Sequence, residues 1–211
     1  MQWISVTGLD GSGKTTLVRN LASYYEKKGF KVKTAHLPFD CHLQREILPE
    51  LTHSYADRLL FALDNHIFAE QLEKWENKNE YDLIISQRGF FDSFVHGAVQ
   101  GYSYDFIAEL NRIESLPEVD IMVHLVAEAN VAYQRIRDDP DADKFEFPRY
   151  IRKQETETRN GYYSLINHDP DLSAFAKAEN ILIDTTRLTT VETFEQAKNF
   201  IDPLLSTAAD A

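Results

Sequence analysis

Gly8-Leu9-Asp10-Gly11-Ser12-Gly13-Lys14-Thr15-Thr16 is the stretch that decides how this chain folds. It meets every fixed position of the phosphate-binding pattern G-x-x-x-x-G-K-[ST]. Upstream lies a short apolar run, Trp3-Ile4-Ser5-Val6. Downstream, Leu17, Leu21 and Tyr24 recur at helical spacing. Strand, glycine loop and helix, in that order, form the context the pattern needs. Gly8 and Gly13 let the backbone wrap around phosphates, and the loop N–H groups, those of Gly11 and Ser12 included, face inward. A helix starting near Lys14 adds the positive end of its dipole. Lys14 reaches the β- and γ-phosphates, and the Thr15 hydroxyl, next to Thr16, reaches Mg²⁺. The motif specifies a nucleoside triphosphate and is silent about what receives the phosphate. No Asn-Lys-x-Asp-like guanine motif accompanies it, which argues against a GTPase switch.

Outward from the loop, apolar runs of strand length recur at Val32–His36, Leu83–Ile85, Ile121–Val126 and Ile181–Ile183. They are continuous rather than alternating, as in strands buried on both faces of a parallel sheet. Helical periodicity fills the intervals at Tyr55–Trp75, Phe91–Ile113, Val131–Ile136 and Val191–Leu205. This alternation predicts a doubly wound α/β chain: a P-loop three-layer fold with a central parallel sheet of about five strands flanked by helices. Ligands of such sheets sit beyond the carboxyl ends of the strands. The segments to inspect are therefore Gly8–Thr16, His36–Asp40, Ser86–Asp92, the stretch after Val126, and Asp184–Arg187.

With 211 residues, 43% of them hydrophobic, the chain suits one domain spanning 1–211, and no Gly/Ser/Pro-rich linker divides it. The net charge of −12 disfavours a nucleic-acid partner, which calls for a basic stripe. Cys41 is the only cysteine, so no internal disulfide and no thiolate metal site can form, and a cytoplasmic setting is expected. No stretch approaches the roughly 20 apolar residues of a membrane span. The seven histidines lack metal-ligand spacing such as H-E-x-x-H. His124, inside an apolar strand, reads as a hydrogen-bonded core residue.

Several pieces, in order along the chain, resemble the thymidylate kinases of the nucleoside monophosphate kinase group. Beyond the loop these are His36-Leu37-Pro38, at the turn after the second strand, and Asp57-Arg58-Leu59-Leu60-Phe61-Ala62-Leu63-Asp64-Asn65-His66, similar to an L-L-F-A-x-D-R-x-x-H helix. Gln87-Arg88-Gly89 falls where the family carries Asp-Arg-Tyr. The segment Ala132 to Arg137 is similar to an arginine-bearing helix, and Asp143-Lys144-Phe145-Glu146 to a run in a lid. The resemblance implies transfer of the γ-phosphate of ATP, with Mg²⁺, to a nucleoside monophosphate, dTMP or a related pyrimidine deoxynucleotide. It implies a homodimer, and a lid at approximately 135–150. Lys14, Arg88, Asp10, Arg135 and Arg137 become candidate catalytic residues, with Arg187 added to the ATP side. Asp10, Phe61, Asn65, Arg88 and Gln100 are candidates for the acceptor, and Thr15 and Gln87 for the metal. Plainer readings stand beside these: Arg88 as a surface cation, Arg135 and Arg137 on a solvated helix face, Phe61 as core packing.

Three departures from the family bear on the acceptor. Gln87 replaces a carboxylate and offers only an amide oxygen, with Asp10, Asp40 or Asp92 as possible substitutes. Asn65 replaces an arginine that ordinarily supports acceptor binding, with Arg58 or Arg45 as possible compensation. His36-Leu37-Pro38 lacks the charge of the family's turn. Fewer acceptor-side cations would suit a deoxynucleoside or other small uncharged acceptor, and loss of the strand-end carboxylate would suit a non-catalytic ATP-binding module.

Overall fold

A computed structural model describes residues 1–39, 50, 53–137 and 147–205. Five strands form one parallel sheet: β1 (Gln2–Gly8), β2 (Val32–His36), β3 (Leu83–Gln87), β4 (Ile121–Val126) and β5 (Glu179–Asp184), in the order β2-β3-β1-β4-β5. All five lie where the apolar runs put them. The chain lays down β2 and β3 on one side of β1, then crosses to β4 and β5 on the other. The carboxyl end of β1, which carries the glycine loop, thus sits at the middle of the sheet edge.

Between the strands run α1 (Lys14–Lys27), α2 (Ser54–Asn77), α3 (Phe90–Val99), α4 (Tyr104–Asn111), α5 (Ala129–Ile136), α6 (Pro148–Ile166) and α7 (Thr190–Ile201). The sheet's two faces are both covered. On one, Ile4, Val6, Leu83, Ile85, Val123 and Leu125 pack against Leu17 and Leu21 of α1 and Ala197 and Ile201 of α7. On the other, Trp3, Ile84 and Met122 meet Phe68 and Leu72 of α2, Phe90, Phe91 and Phe94 of α3, and Ile107 of α4. Helix, sheet and helix make the three layers expected.

Toward the carboxyl edge this second face turns small and polar, with Ser5, Thr7 and Ser86 all buried. The change lets the chain approach the sheet closely where β3 passes into α3. A Cβ on Gly89 would lie 2.4 Å from Ser5 Oγ. Trp3 Nε1 donates to Ser86 Oγ at 2.9 Å, so this polar patch is partly satisfied within the core.

Two helical segments differ from expectation. The stretch Phe91–Ile113 is two helices. Gly101, at φ 93°, turns the chain after α3, and Tyr102 N donates to Gly97 O. Ser103 then caps α4, its side chain accepting from Phe106 N. Helix α6 shows no apolar stripe in the sequence because its buried face carries Gln154, Thr158 and Gly161 beside Tyr150, Ile151 and Leu165. Of the expected lid, residues 138–146 lie outside the described residues, as do Asp40, Cys41 and Arg45. Among the described residues no helix is long and apolar enough to cross a membrane.

Candidate active site

The loop after β1 is built on backbone conformations that only glycine adopts readily. Gly8, Gly11 and Gly13 have φ of 134°, 79° and 100°. Space imposes the same choice at two of them: a Cβ on Gly8 would lie 2.0 Å from Leu125 O, and one on Gly11 2.2 Å from Ala132 O. The loop is thus pressed against β4 and α5. Lys14 is buried and folded back over it, Nζ donating to Gly8 O and Leu9 O, both at 2.8 Å, and to Asp10 Oδ1 at 3.1 Å.

Asp10 is shared between two cations. Arg88 Nη2 reaches the same oxygen at 2.5 Å. Burial alone would raise the Asp10 carboxyl, but Arg88 and Lys14 hold it well below the usual carboxylate range. Arg88 follows β3 directly. Its φ of 67° turns the chain, and its N–H donates to Val6 O at 2.8 Å, extending the β1–β3 ladder by one residue. Lys14, Asp10 and Arg88 therefore form one charged cluster at the centre of the sheet edge.

Two depressions meet at this cluster. The larger, about 600 Å³, runs along the glycine loop from Asp10 to Leu17 and takes in His36, Gln87, Arg88, Arg135, Thr185, Leu188, Thr190 and Thr193. Arg135 is part of its wall. Its Nη1 donates to Gly11 O at 3.1 Å and its Nη2 to Thr185 O at 2.9 Å, while Thr185 Oγ1 donates to Ser12 O at 2.9 Å. The smaller recess, about 20 Å³, is enclosed by Leu37, Arg58, Phe61, Asn65, Ser93 and His96, with Arg88 and Pro38 shared between the two. It holds space for about one water.

The candidate residues divide between these spaces. Gly11 to Thr16, Lys14, Asp10, Gln87, Arg88 and Arg135 line the groove, and Gly8 supports it from beneath. Arg137, at the end of α5, and Arg187 are exposed and do not line it; Leu188, Thr190 and Thr193 do so instead. Phe61 and Asn65 line the recess. Both donor hydrogens of the Asn65 amide are already used, by Ser93 Oγ and Asn111 Oδ1, each at 2.8 Å. Gln100 lines neither space, and its Nε2 points to Asp57 Oδ2 at 3.4 Å. His36 sits in the groove wall with its pKa lowered to about 4 by burial and by Arg88, so it is neutral at pH 7.

Of the carboxylates weighed for the metal, Asp10 is held by Arg88 and Lys14, and Asp92 accepts from Gly89 N at 2.8 Å. Thr15 and Gln87 face the groove. Among the described residues no three His, Cys, Asp or Glu side chains cluster as a metal centre.

A buried relay absent from the sequence reading joins α6 to the loop. Asp10 N donates to Gln154 Oε1 at 3.3 Å. A backbone N–H can only donate, which fixes the amide and turns its Nε2 toward His96 Nε2, 3.4 Å away. The tautomer assigned to His96 therefore carries its proton on Nδ1, facing the Tyr150 hydroxyl oxygen at 2.9 Å. Burial, then Arg88 and Arg58, keep the imidazole neutral by pushing its pKa far down. Only the polar residues scattered along α6 could have signalled this face.

Comparison with known proteins agrees with this geometry. The family described as thymidylate kinase matches residues 6–184. The chain is similar to a probable thymidylate kinase of Methanococcus maripaludis, at 30% identity over 95% of this chain and 94% of that protein. A protein of the same description from Metallosphaera sedula is 32% identical over 78% of this chain and 79% of its own length. One from Methanosphaera stadtmanae is 28% identical, covering 81% and 86%.

Proposed function

The chain belongs to the thymidylate kinase family, and from that premise we propose that this ATP-dependent nucleoside monophosphate kinase transfers the γ-phosphate of ATP to dTMP. The observation that carries the reading is the shared position of Arg88, in the wall of both the large groove and the small recess and beside Asp10 and Lys14. A phosphoryl group passing between two ligands must pass such a junction.

The groove's composition fits ATP. Its glycine loop is a cradle that side chains would fill at Gly8 and Gly11, and buried Ser12 Oγ has no partner there. Lys14 leaves the carbonyls of Gly8 and Leu9 for phosphate oxygens. Asp10 keeps Arg88 aimed at the junction, where the guanidinium faces charge on both the γ-phosphate and the acceptor phosphate. An oxygen of the acceptor phosphate bonds to the γ-phosphorus as the bond from that phosphorus to the bridging oxygen of ADP breaks. The protein's contribution is alignment and charge neutralisation. Mg²⁺, when bound, neutralises phosphate charge. Thr15 and the Gln87 amide oxygen are the hard oxygen donors that would hold it, since Mg²⁺ needs few protein ligands.

The same reading includes a homodimer, a cytoplasmic setting, and the chain 1–211 as one kinase unit. Exposed Tyr55, Leu59, Leu63 and Ile67 recur every four residues along one side of α2, at 48%, 46%, 48% and 38% exposure. A continuous apolar stripe of this kind is what a subunit contact buries.

Release of ADP from ATP and Mg²⁺ against dTMP, dUMP, the other nucleoside monophosphates and thymidine tests the assignment. The expected result is highest turnover with dTMP. Turnover with nucleosides alone would replace the reading by a nucleoside kinase. ATP binding without turnover on any acceptor would replace it by a nucleotide-binding module.

A further inference from the structure

Among the described residues, helix α6 lines neither the groove nor the recess, yet it touches the walls of both. Tyr150 and Gln154 lie one turn apart on its buried face. Tyr150 backs the recess. Its hydroxyl lies 2.9 Å from His96 Nδ1, its ring is 28° from parallel to the imidazole at 6.0 Å, and Phe61 packs against it and Val99. Gln154 backs the groove, its Oε1 accepting from Asp10 N at 3.3 Å. Its Nε2 faces His96 Nε2 at 3.4 Å, so this one buried amide stands between a groove residue and a recess residue.

The recess holds about 20 Å³. Sites for small ligands run to roughly 300–1,000 Å³, so a nucleotide enters only by moving the wall. Part of that wall is tied to its own neighbours. Asn65 bonds to Ser93 and Asn111, and Asp64 to Phe39 N, which joins α2, α3, α4 and the turn after β2. His96 and Phe61 are held against α6 instead. Close-packed elements transmit displacement rather than absorb it. A shift passed to Tyr150 therefore arrives at Gln154, and Gln154 holds the Asp10 backbone. The Asp10 carboxylate in turn holds both Arg88 and Lys14.

We propose that Gln154 is a positioning residue that couples the two spaces: by touching Asp10 on one side and His96 on the other, it makes the placement of Arg88 and Lys14 depend on whether the recess is filled. The inference rests on the reading of the recess as the acceptor's site. Affinities for ATP and for the acceptor are then linked, each ligand changing the other's by the same factor.

The test measures that factor. A non-hydrolysable ATP analogue with Mg²⁺ is titrated with and without saturating dTMP, and dTMP with and without the analogue. Wild type is compared with Gln154→Met, which keeps the length and removes the amide, and Tyr150→Phe, which removes only a hydroxyl. Wild type should show a factor of at least about five. In Gln154→Met the factor should fall to within about twofold of one, while each ligand alone binds within about threefold of wild type. Tyr150→Phe should lower the factor in the same direction, and it decides the matter if Gln154→Met does not fold. A fall in Gln154→Met alone supports the proposal, with the path running through Nε2 and His96. A factor near one in wild type would overturn it. So would an unchanged factor in folded Gln154→Met, which would leave the coupling to Arg88, the residue common to both spaces. Weaker binding of each ligand alone with the factor intact would make Gln154 structural only, and so overturn it too. If wild type binds both ligands yet turns over no acceptor, the kinase reading fails and the factor still decides Gln154. If dTMP does not bind, the acceptor assignment fails, and the acceptor that supports turnover replaces it in the same titrations.

Discussion

Lys14 shows how one side chain can hold a loop and serve a ligand. Its ammonium satisfies two loop carbonyls and one carboxylate oxygen. Burial pulls its pKa below the ordinary lysine value, against which Asp10 acts. Replacing it removes a cation from the groove while Asp10 keeps Arg88. Lys14→Ala is therefore expected to lower turnover by at least about a hundredfold with far-UV circular dichroism and cooperative unfolding retained. Turnover within about tenfold of wild type would refute the loop's assigned chemistry. The loop was legible in the sequence because each fixed position answers a local demand, a positive φ or a lysine at the first position of a helix. Arg58 was legible only as a spare cation near Asn65. Its burial against Phe61 depends on how the fold packs around α2, and no local pattern encodes that.

At the scale of elements, the strands were readable because burial on both faces writes an unbroken apolar run. The break between α3 and α4 was also written, by Gly101 and Ser103, though the apolar periodicity runs across it. Helix α6 was hidden for the opposite reason. Its buried face is spent on polar contacts to Asp10 and His96 and on close approach at Gly161, where a Cβ would lie 2.9 Å from Phe91 Cζ. Another polar tie joins α2 to the turn after β2. Asp64 accepts from Phe39 N with both oxygens, at 2.9 and 2.8 Å, and burial raises its pKa to about 6. Because this exceeds the unfolded value of about 3.9, the native state binds the extra proton between those pH values. The contribution is present below about pH 4 and is lost as pH rises through about 6. Asp64→Asn removes the titration, so the stability of the variant minus that of wild type should rise by up to about 3 kcal/mol between pH 4 and 7. Urea unfolding at a series of pH values measures this, and a flat difference would show that Asp64 does not titrate as assigned.

For the whole molecule, the exposed stripe on α2 is the feature that neither core accounts for. Tyr55 extends it toward α4 through a ring contact with Phe106 at 6.1 Å. For the proposed homodimer, Leu59→Glu combined with Leu63→Glu should give a monomer in sedimentation analysis while leaving ATP binding intact, because neither side chain reaches the groove. An unchanged sedimentation coefficient would remove this face from the subunit contact. Sequence reading supplied the fold at this scale, since strand–helix alternation and one motif specify it. The recess needed α2, α3 and the turn after β2 brought together, residues spread from Leu37 to His96 along the chain.

The hydrogen bond from Arg88 N to Val6 O has a consequence for how this protein tolerates change. Arg88 is positioned by ladder register, with Val6 opposite Gln87, rather than by a loop that could bend to compensate. Side chains flip faces with every residue of a strand. One residue inserted into β3 could re-form all its hydrogen bonds with β1 and β2 and still swing the guanidinium away from Asp10. Substitutions in β3 are thus graded by size, but changes of length are all or none.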